Sequence, residues 1–281
     1  MILIADCGST KTDWCLLDGG EIKKRIFTGG MNAVMLTGEE ISGRIASELM
    51  PQLGDEPIDS VFFYGAGCLA EEVCDNVRRA IAHNISSARL IEVDTDLLAA
   101  ARALCGRSAG IACIMGTGSN SCFYDGDKIV DNVSPLGFIL GDEGSGAVLG
   151  KILVGDVLKN QLPADLCRKF LDKYELDRLT IIRRVYREPQ ANRFLASVTP
   201  FLLENITHPA IHELVVNSFK AFFRRNVLQY ERARQLTVNF VGSIAWYYRD
   251  LLGEAASDMG CTVGKIIKSP MDGLIAYHSQ S

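Results

Sequence analysis

The chain opens with a strand, a very short polar loop and a second strand, and it repeats that plan far along its length. Ile2-Leu3-Ile4-Ala5 runs into Asp6, and Gly8-Ser9-Thr10-Lys11-Thr12 then turns back into Trp14-Cys15-Leu16-Leu17. The second copy reads Ile111-Ala112-Cys113-Ile114-Met115, then Gly116-Thr117-Gly118-Ser119, then Asn120-Ser121-Cys122-Phe123-Tyr124. Small residues in such loops leave backbone N–H groups open to close approach by a phosphate. Lys11 adds a positive charge, and Asp6 ends its strand where a hydrated Mg²⁺ can sit. Taken singly, Gly-Ser-Thr is ordinary turn chemistry. Two such hairpins predict two similar domains gripping one nucleotide. A third element, Val238-Asn239-Phe240-Val241-Gly242-Ser243-Ile244, leaves a strand through Gly-Ser into a helix, which suits close approach of backbone to a nucleoside.

Together with Asp94-Thr95-Asp96 and Gly141-Asp142-Glu143-Gly144-Ser145, these stretches resemble the actin-like superfamily of ATPases, sugar kinases and Hsp70. Within it the chain is most similar to the N-acetylglucosamine kinase and BadF-type ATPase family. The motifs occur in the family's order and span most of the chain. The resemblance implies an α/β, two-domain actin-like ATPase fold with a duplicated ribonuclease H-like motif, and nucleotide and substrate in the interdomain cleft. It implies an ATP- and Mg²⁺-dependent kinase acting on a hydroxyl of an amino sugar, N-acetylglucosamine first, to give the 6-phosphate. Two other readings stay open: a BadF-type activase coupling ATP hydrolysis to a partner protein, and a non-catalytic sugar sensor. Retention of Asp6, Asp96 and Asp142 speaks against a sensor.

Composition narrows the classes. With 281 residues, 48% of them hydrophobic, the chain can bury two sizeable cores. Its 29 basic and 34 acidic residues leave a net charge of −5, which offers nucleic acid no general attraction. No apolar run approaches the ~20 residues of a membrane span, and no charged lead precedes a long apolar segment, so neither a membrane anchor nor a signal peptide is expected. Nine cysteines, an odd number without a Cys-x-x-Cys, read as reduced core residues of a cytoplasmic protein rather than ligands of an iron–sulfur cluster. The resemblance makes a homodimer the expected assembly.

Hydrophobic periodicity predicts strands near 2–6, 12–18, 22–28, 58–64 and 89–93, with helices near 38–50, 70–83 and 96–105. The second half begins with strands near 110–115, 119–125 and 128–132. A helical stretch over 143–234 follows, whose longest member covers 209–234. A strand (237–242), a helix (243–258) and a strand (262–267) complete it. The expected domains are 1–107, with the tail 268–281 packed back on it as the resemblance implies, and 108–267.

The candidate site residues each carry a plainer reading. Asp96 follows a strand and opens the Ala-rich run 97–101, where an acid is often only a helix cap; a kinase needs a base near its acceptor hydroxyl. The resemblance assigns that role to Asp96, with Asp94 as the rival carboxylate. Asp142 suits a helix start, and by resemblance binds sugar. Asn32 beside Gly29-Gly30 is a usual turn residue, and by resemblance also contacts sugar. Ala33-Val34 and Ser134-Pro135-Leu136-Gly137 depart from the animal kinase, which bears on the identity of the sugar. The resemblance assigns Gly8, Ser9, Thr10, Lys11, Gly116, Thr117, Gly118 and Ser119 to the ATP phosphates, Gly242 and Ser243 to adenosine, and Asp6 to Mg²⁺ through water. Ser145 to Lys151 lacks the first glycine and the hydroxyl of a Walker loop. His208 and His212 read as helix-start polarity, and Arg183, Arg184 and Arg187 as a solvated face.

Overall fold

The computed structural model describes residues 1–8 and 10–279. The chain divides into two compact units, residues 1–108 with 269–281, and residues 109–268. In the first unit, β1 (Ile2–Cys7), β2 (Lys11–Asp18) and β3 (Glu21–Gly29) form an antiparallel meander. Then β4 (Ser60–Gly65) and β5 (Leu90–Thr95) add in parallel to β1, giving the order β3-β2-β1-β4-β5.

The second unit repeats the scheme. Its strands are β6 (Gly110–Met115), β7 (Ser119–Tyr124), β8 (Ile129–Asp131), β9 (Thr237–Val241) and β10 (Thr262–Ile267). They lie in the order β8-β7-β6-β9-β10, again a meander extended by two parallel strands. The duplication is one of topology and not of sequence period. Strands buried on both faces, such as Leu3-Ile4-Ala5 and Ile111-Ala112-Cys113, read as continuous apolar runs because helices cover both sides.

Each unit has its own core. Trp14 and Phe63 anchor the first, with the Trp14 indole N–H donating to the Thr28 hydroxyl at 3.0 Å. In the second, the helix Pro209–Arg225 buries Phe219, Phe222 and Phe223, the latter two packed on Phe240 of β9. All nine cysteines are reduced, and all but Cys105 are buried. No helix among the described residues is long and apolar enough to cross a membrane.

Several helix bounds differ from expectation for local reasons. The helix expected over 209–234 stops at Arg225. The Asn226 backbone amide makes the last ladder bond, to the Phe222 carbonyl at 2.9 Å, its side-chain amide reaches the Glu143 carboxylate at 3.2 Å, and a short 3₁₀ turn, Val227–Gln229, follows. The helix expected over 243–258 breaks at Tyr248, whose hydroxyl donates to the Thr199 carbonyl at 2.6 Å. Over 38–53, a π-helical segment Ile45–Leu49 precedes Pro51, which has no N–H to donate. The four-residue helix Gly137–Leu140 carries no apolar periodicity that would announce it.

The C-terminal helix Met271–His278 belongs to the first unit and packs closely on the helix Asp96–Cys105. A Cβ at Gly273 would lie 2.4 Å from the Ala103 carbonyl oxygen. His278 stacks on Phe62 and meets the Tyr64 hydroxyl at 2.9 Å. Arg102 donates to the same hydroxyl at 2.6 Å, which leaves the tyrosine proton available to a neutral His278 Nε2. Burial and the charges of Arg102 and Arg107 push the imidazole down to about 4. A neutral, buried histidine favours the fold above its unfolded pKa, and that contribution is lost as pH falls from about 6.5 toward 4. Urea denaturation should therefore show the native protein losing about 2–3 kcal/mol more than His278→Gln over this window; parallel stability curves would contradict it.

Candidate active site

Asp6 lies at the C-terminal end of β1, opposite Asp13 on β2 and Tyr64 on β4. Burial is the largest cause that pushes its carboxyl up to about 7, with the Asp13 and Asp96 carboxylates adding to it. Asp13 is itself held by a two-pronged pairing with Arg25, at 3.0 and 2.7 Å. Asp6 and Asp96 are thus the two acids at this sheet edge that are pushed upward. The carboxyl ends of parallel strands are where open α/β sheets receive ligands.

Thr95, not Asp96, caps the helix Asp96–Cys105, because its hydroxyl accepts from the Leu98 amide at 3.1 Å. Asp94 accepts from the Thr95 amide at 2.8 Å, a supporting bond. Asp96 is therefore not needed as the cap. Burial raises its pKa, against the lowering effect of the Leu97 amide and its own.

The loop after β1 is a tight turn in which the Gly8 amide donates to the Lys11 carbonyl and Gly30 donates to Thr10, both at 3.0 Å. The Thr12 hydroxyl is directed inward, to Cys7 Sγ and the Gly29 carbonyl, each at 3.1 Å. Thr10 and Lys11 stay exposed, with the Lys11 ammonium over the Phe27 ring. Ser9, also expected at the phosphates, lies outside the described residues. Asn32 closes a turn by accepting from the Val34 amide at 3.0 Å, and its side chain lies against Gly67. That contact ties the Asn32 turn to the loop following β4.

In the second unit, the carbonyls of Gly116 and Thr117 accept from the amides of Gly146 and Ala147, the first residues of the helix Gly146–Leu158. Gly116 donates back to Gly118 at 2.9 Å, whereas Thr117 and Gly118 donate to no carbonyl of the described residues. Ser119 is 6% exposed and its hydroxyl donates to the Glu143 carbonyl at 2.9 Å, so its side chain braces the loop. Asp142 lies against Gly118, in the left-handed backbone region at φ 53°. Burial pushes its carboxyl up to about 6, countered by the Ser119 amide.

Gly242 sits at φ 128°, and a Cβ there would meet the Met115 carbonyl oxygen at 2.4 Å, so only glycine lets β9 pass this loop. Gly116, Thr117 and Ser243 then line one pocket of about 270 Å³, together with Thr199, Ile244 and Arg193. The first two were expected at the phosphates and Ser243 at adenosine. Arg193 and Thr199 carried no signal, since both lie in the helical stretch far from any motif.

No protein-family model matches the chain, and no curated protein matches it. Among solved structures, a Porphyromonas gingivalis protein provisionally assigned as an N-acetylglucosamine kinase is 48% identical. It superposes with a TM-score of 0.96 over 100% of this chain and 99% of that one. The chain belongs to the N-acetylglucosamine kinase family.

Two more distant structures share the actin-like sugar-kinase fold with this N-acetylglucosamine kinase family member. A Chromobacterium violaceum protein with the same provisional assignment has a TM-score of 0.74 at 18% identity, covering 98% of each chain. A Streptomyces griseus ROK family glucokinase, in complex with glucose and AMPPNP, has a TM-score of 0.54 at 13% identity, covering 99% of each. Outside the site, His208 Nδ1 caps the helix Pro209–Arg225 by accepting from Ala210, and His212 pairs with Glu254 at 3.0 Å. Arg183 and Arg184 pair with Glu188 on a solvated face.

Asp142 gives a test of the family member's site in terms of stability. With its pKa raised above the unfolded value, the folded state favours the protonated form, so stability is fully present below about pH 4 and is lost as pH rises through 6. Asparagine tolerates the left-handed backbone and carries no charge. Partial exposure limits the gain to about 1 kcal/mol. Asp142→Asn should therefore melt ~2–4 °C above the native protein at pH 8 and no higher at pH 4. A variant less stable than the native protein at pH 8 would show that the carboxylate is satisfied in place.

Proposed function

We propose that this protein is an ATP-dependent kinase that phosphorylates a hydroxyl of an amino sugar, N-acetylglucosamine foremost, at the 6-position. The observation that carries the reading is Asp96, a half-buried carboxylate at a strand end whose capping duty is taken by Thr95. Its raised basicity suits a group that must accept a proton near neutral pH.

The chemistry needs little beyond placement and charge. Asp96 takes the proton of the sugar hydroxyl as its oxygen bonds to the γ-phosphorus. The bond from that phosphorus to the β–γ bridging oxygen breaks, and ADP leaves. The Thr117 and Gly118 amides, with Thr10 and Lys11 of the first unit, hold the phosphates; Gly8, Ser9, Gly116 and Ser119 shape or complete those loops. Gly242 and Ser243 border adenosine, while Asn32 and Asp142 orient the sugar. The main-chain crowding at Gly242 and the buried Ser119 hydroxyl make these two backbone-shaping positions.

Mg²⁺ fits the residues present. No group of three or more His, Cys, Asp or Glu among the described residues makes a protein cage for a metal. Asp6 is instead a single carboxylate whose charge is disfavoured by its surroundings, which matches an ion that keeps most of its waters. Asp6 would hold it through water, and the ion would neutralise phosphate charge. The same reading expects a cytoplasmic enzyme that works on small molecules and pairs with a second copy.

Asp96→Asn tests the reading, since it keeps the shape and removes the base. Sugar-dependent ADP formation should fall by about two to four orders of magnitude, with the dissociation constant for ADP unchanged within about twofold. A variant that still phosphorylates the sugar at the native rate would remove Asp96 from the base role.

A further inference from the structure

The helix Gly146–Leu158 carries Gly146 and Gly150 one turn apart, on the face that meets the short helix Ala191–Ser197. A Cβ at Gly150 would lie 1.8 Å from the Leu195 carbonyl oxygen. One at Gly146 would lie 3.1 Å from the Ala196 Cβ and 3.2 Å from the Gly116 carbonyl oxygen. Backbone therefore meets backbone here, and the Ala191–Ser197 helix comes against the loop that follows β6. This is what brings Arg193 to the pocket shared by Gly116, Thr117 and Ser243.

Among the described residues, Arg193 is the one charged side chain on that pocket's wall. It is half-buried, and its guanidinium donates to Gln190 Oε1 at 2.9 Å. Gln190 is neutral, so this bond orients the fork without cancelling its charge. No carboxylate of the described residues pairs with Arg193, although Arg183, Arg184 and Arg225 of the same unit each have one. A partly desolvated guanidinium without a counter-ion favours a phosphate, which it can hold through two parallel N–H donors. Thr117, whose amide donates to no carbonyl of the described residues, belongs to the same pocket wall.

We propose that Arg193 binds the phosphate chain of the nucleotide and is the side-chain cation by which the second unit distinguishes nucleotides from nucleosides. The assignment rests on the kinase reading above and adds a specificity-determining residue to it.

Calorimetric titration of ADP and of adenosine into the native protein, Arg193→Gln and Arg193→Lys tests it. The Gln variant should bind ADP about 10- to 100-fold more weakly and adenosine within about twofold of native. The Lys variant should recover part of the loss, and the ADP affinity of the Gln variant should depend less steeply on salt. In turnover, the KM for ATP should rise while the KM for sugar stays fixed. ADP binding within twofold of native in the Gln variant, or adenosine weakened as much as ADP, would overturn the assignment. Should the Gln variant melt early, the Lys variant and the salt dependence of the native protein carry the comparison. A native protein that binds no ADP would instead overturn the nucleotide reading as a whole.

Discussion

The carbonyls of Gly116 and Thr117 are bound to the first amides of the helix Gly146–Leu158, and the second unit's candidate site depends on that join. It fixes which way the loop faces, because a peptide whose carbonyl is held inward presents its amide on the other side. The helix start has its capping needs met by these carbonyls and by the Ser145 hydroxyl, so its N-terminus is not where an anion would sit. The loop amides of Thr117 and Gly118, in contrast, donate to no carbonyl of the described residues. Ser119 secures the loop to Glu143 from beneath, Gly242 lets β9 pass within contact of Met115, and Gly146 admits the helix that brings Arg193. Each small residue is explained by something close to it.

The first unit reaches a comparable loop by other means. Cys7 Sγ accepts from the Thr12 hydroxyl and the Met31 amide, and burial holds the thiol up to about 11, so it stays a neutral packing group. Arg25 neutralises Asp13, leaving Asp6 and Asp96 as carboxylates in surroundings that resist charge. Such an arrangement costs stability unless a cation or a proton offsets the charge.

Much of this was legible in the sequence where a local pattern carries the information. Ile2-Leu3-Ile4-Ala5 and Ile111-Ala112-Cys113 announce strands buried on both faces, and the small-residue loops between strands announce close backbone approach. The strand order duplicated between units was visible only as two hairpins with like loops, since the parallel strands that complete each sheet share no sequence period. The identity of the cap beside Asp96 was ambiguous, because Thr95 and Asp96 can both accept an amide and only the backbone decides between them. Arg193 was illegible for a different reason. Its place depends on how two helices meet, and the cause sits in Gly146 and Gly150, residues that read locally as poor helix formers. At the stop after Arg225 no breaker residue stands; Asn226 there bonds the distant Glu143 carboxylate, a contact that no local pattern announces.

Phosphoryl transfer from ATP to an amino-sugar hydroxyl is the claim on which these assignments converge. The most direct measurement is ADP release from Mg-ATP in the presence of N-acetylglucosamine, glucosamine, N-acetylmuramic acid, glucose or no sugar. The account predicts little release without sugar and strong stimulation by an amino sugar, N-acetylglucosamine above glucose. Release that ignores every sugar, or no release at all, would contradict it.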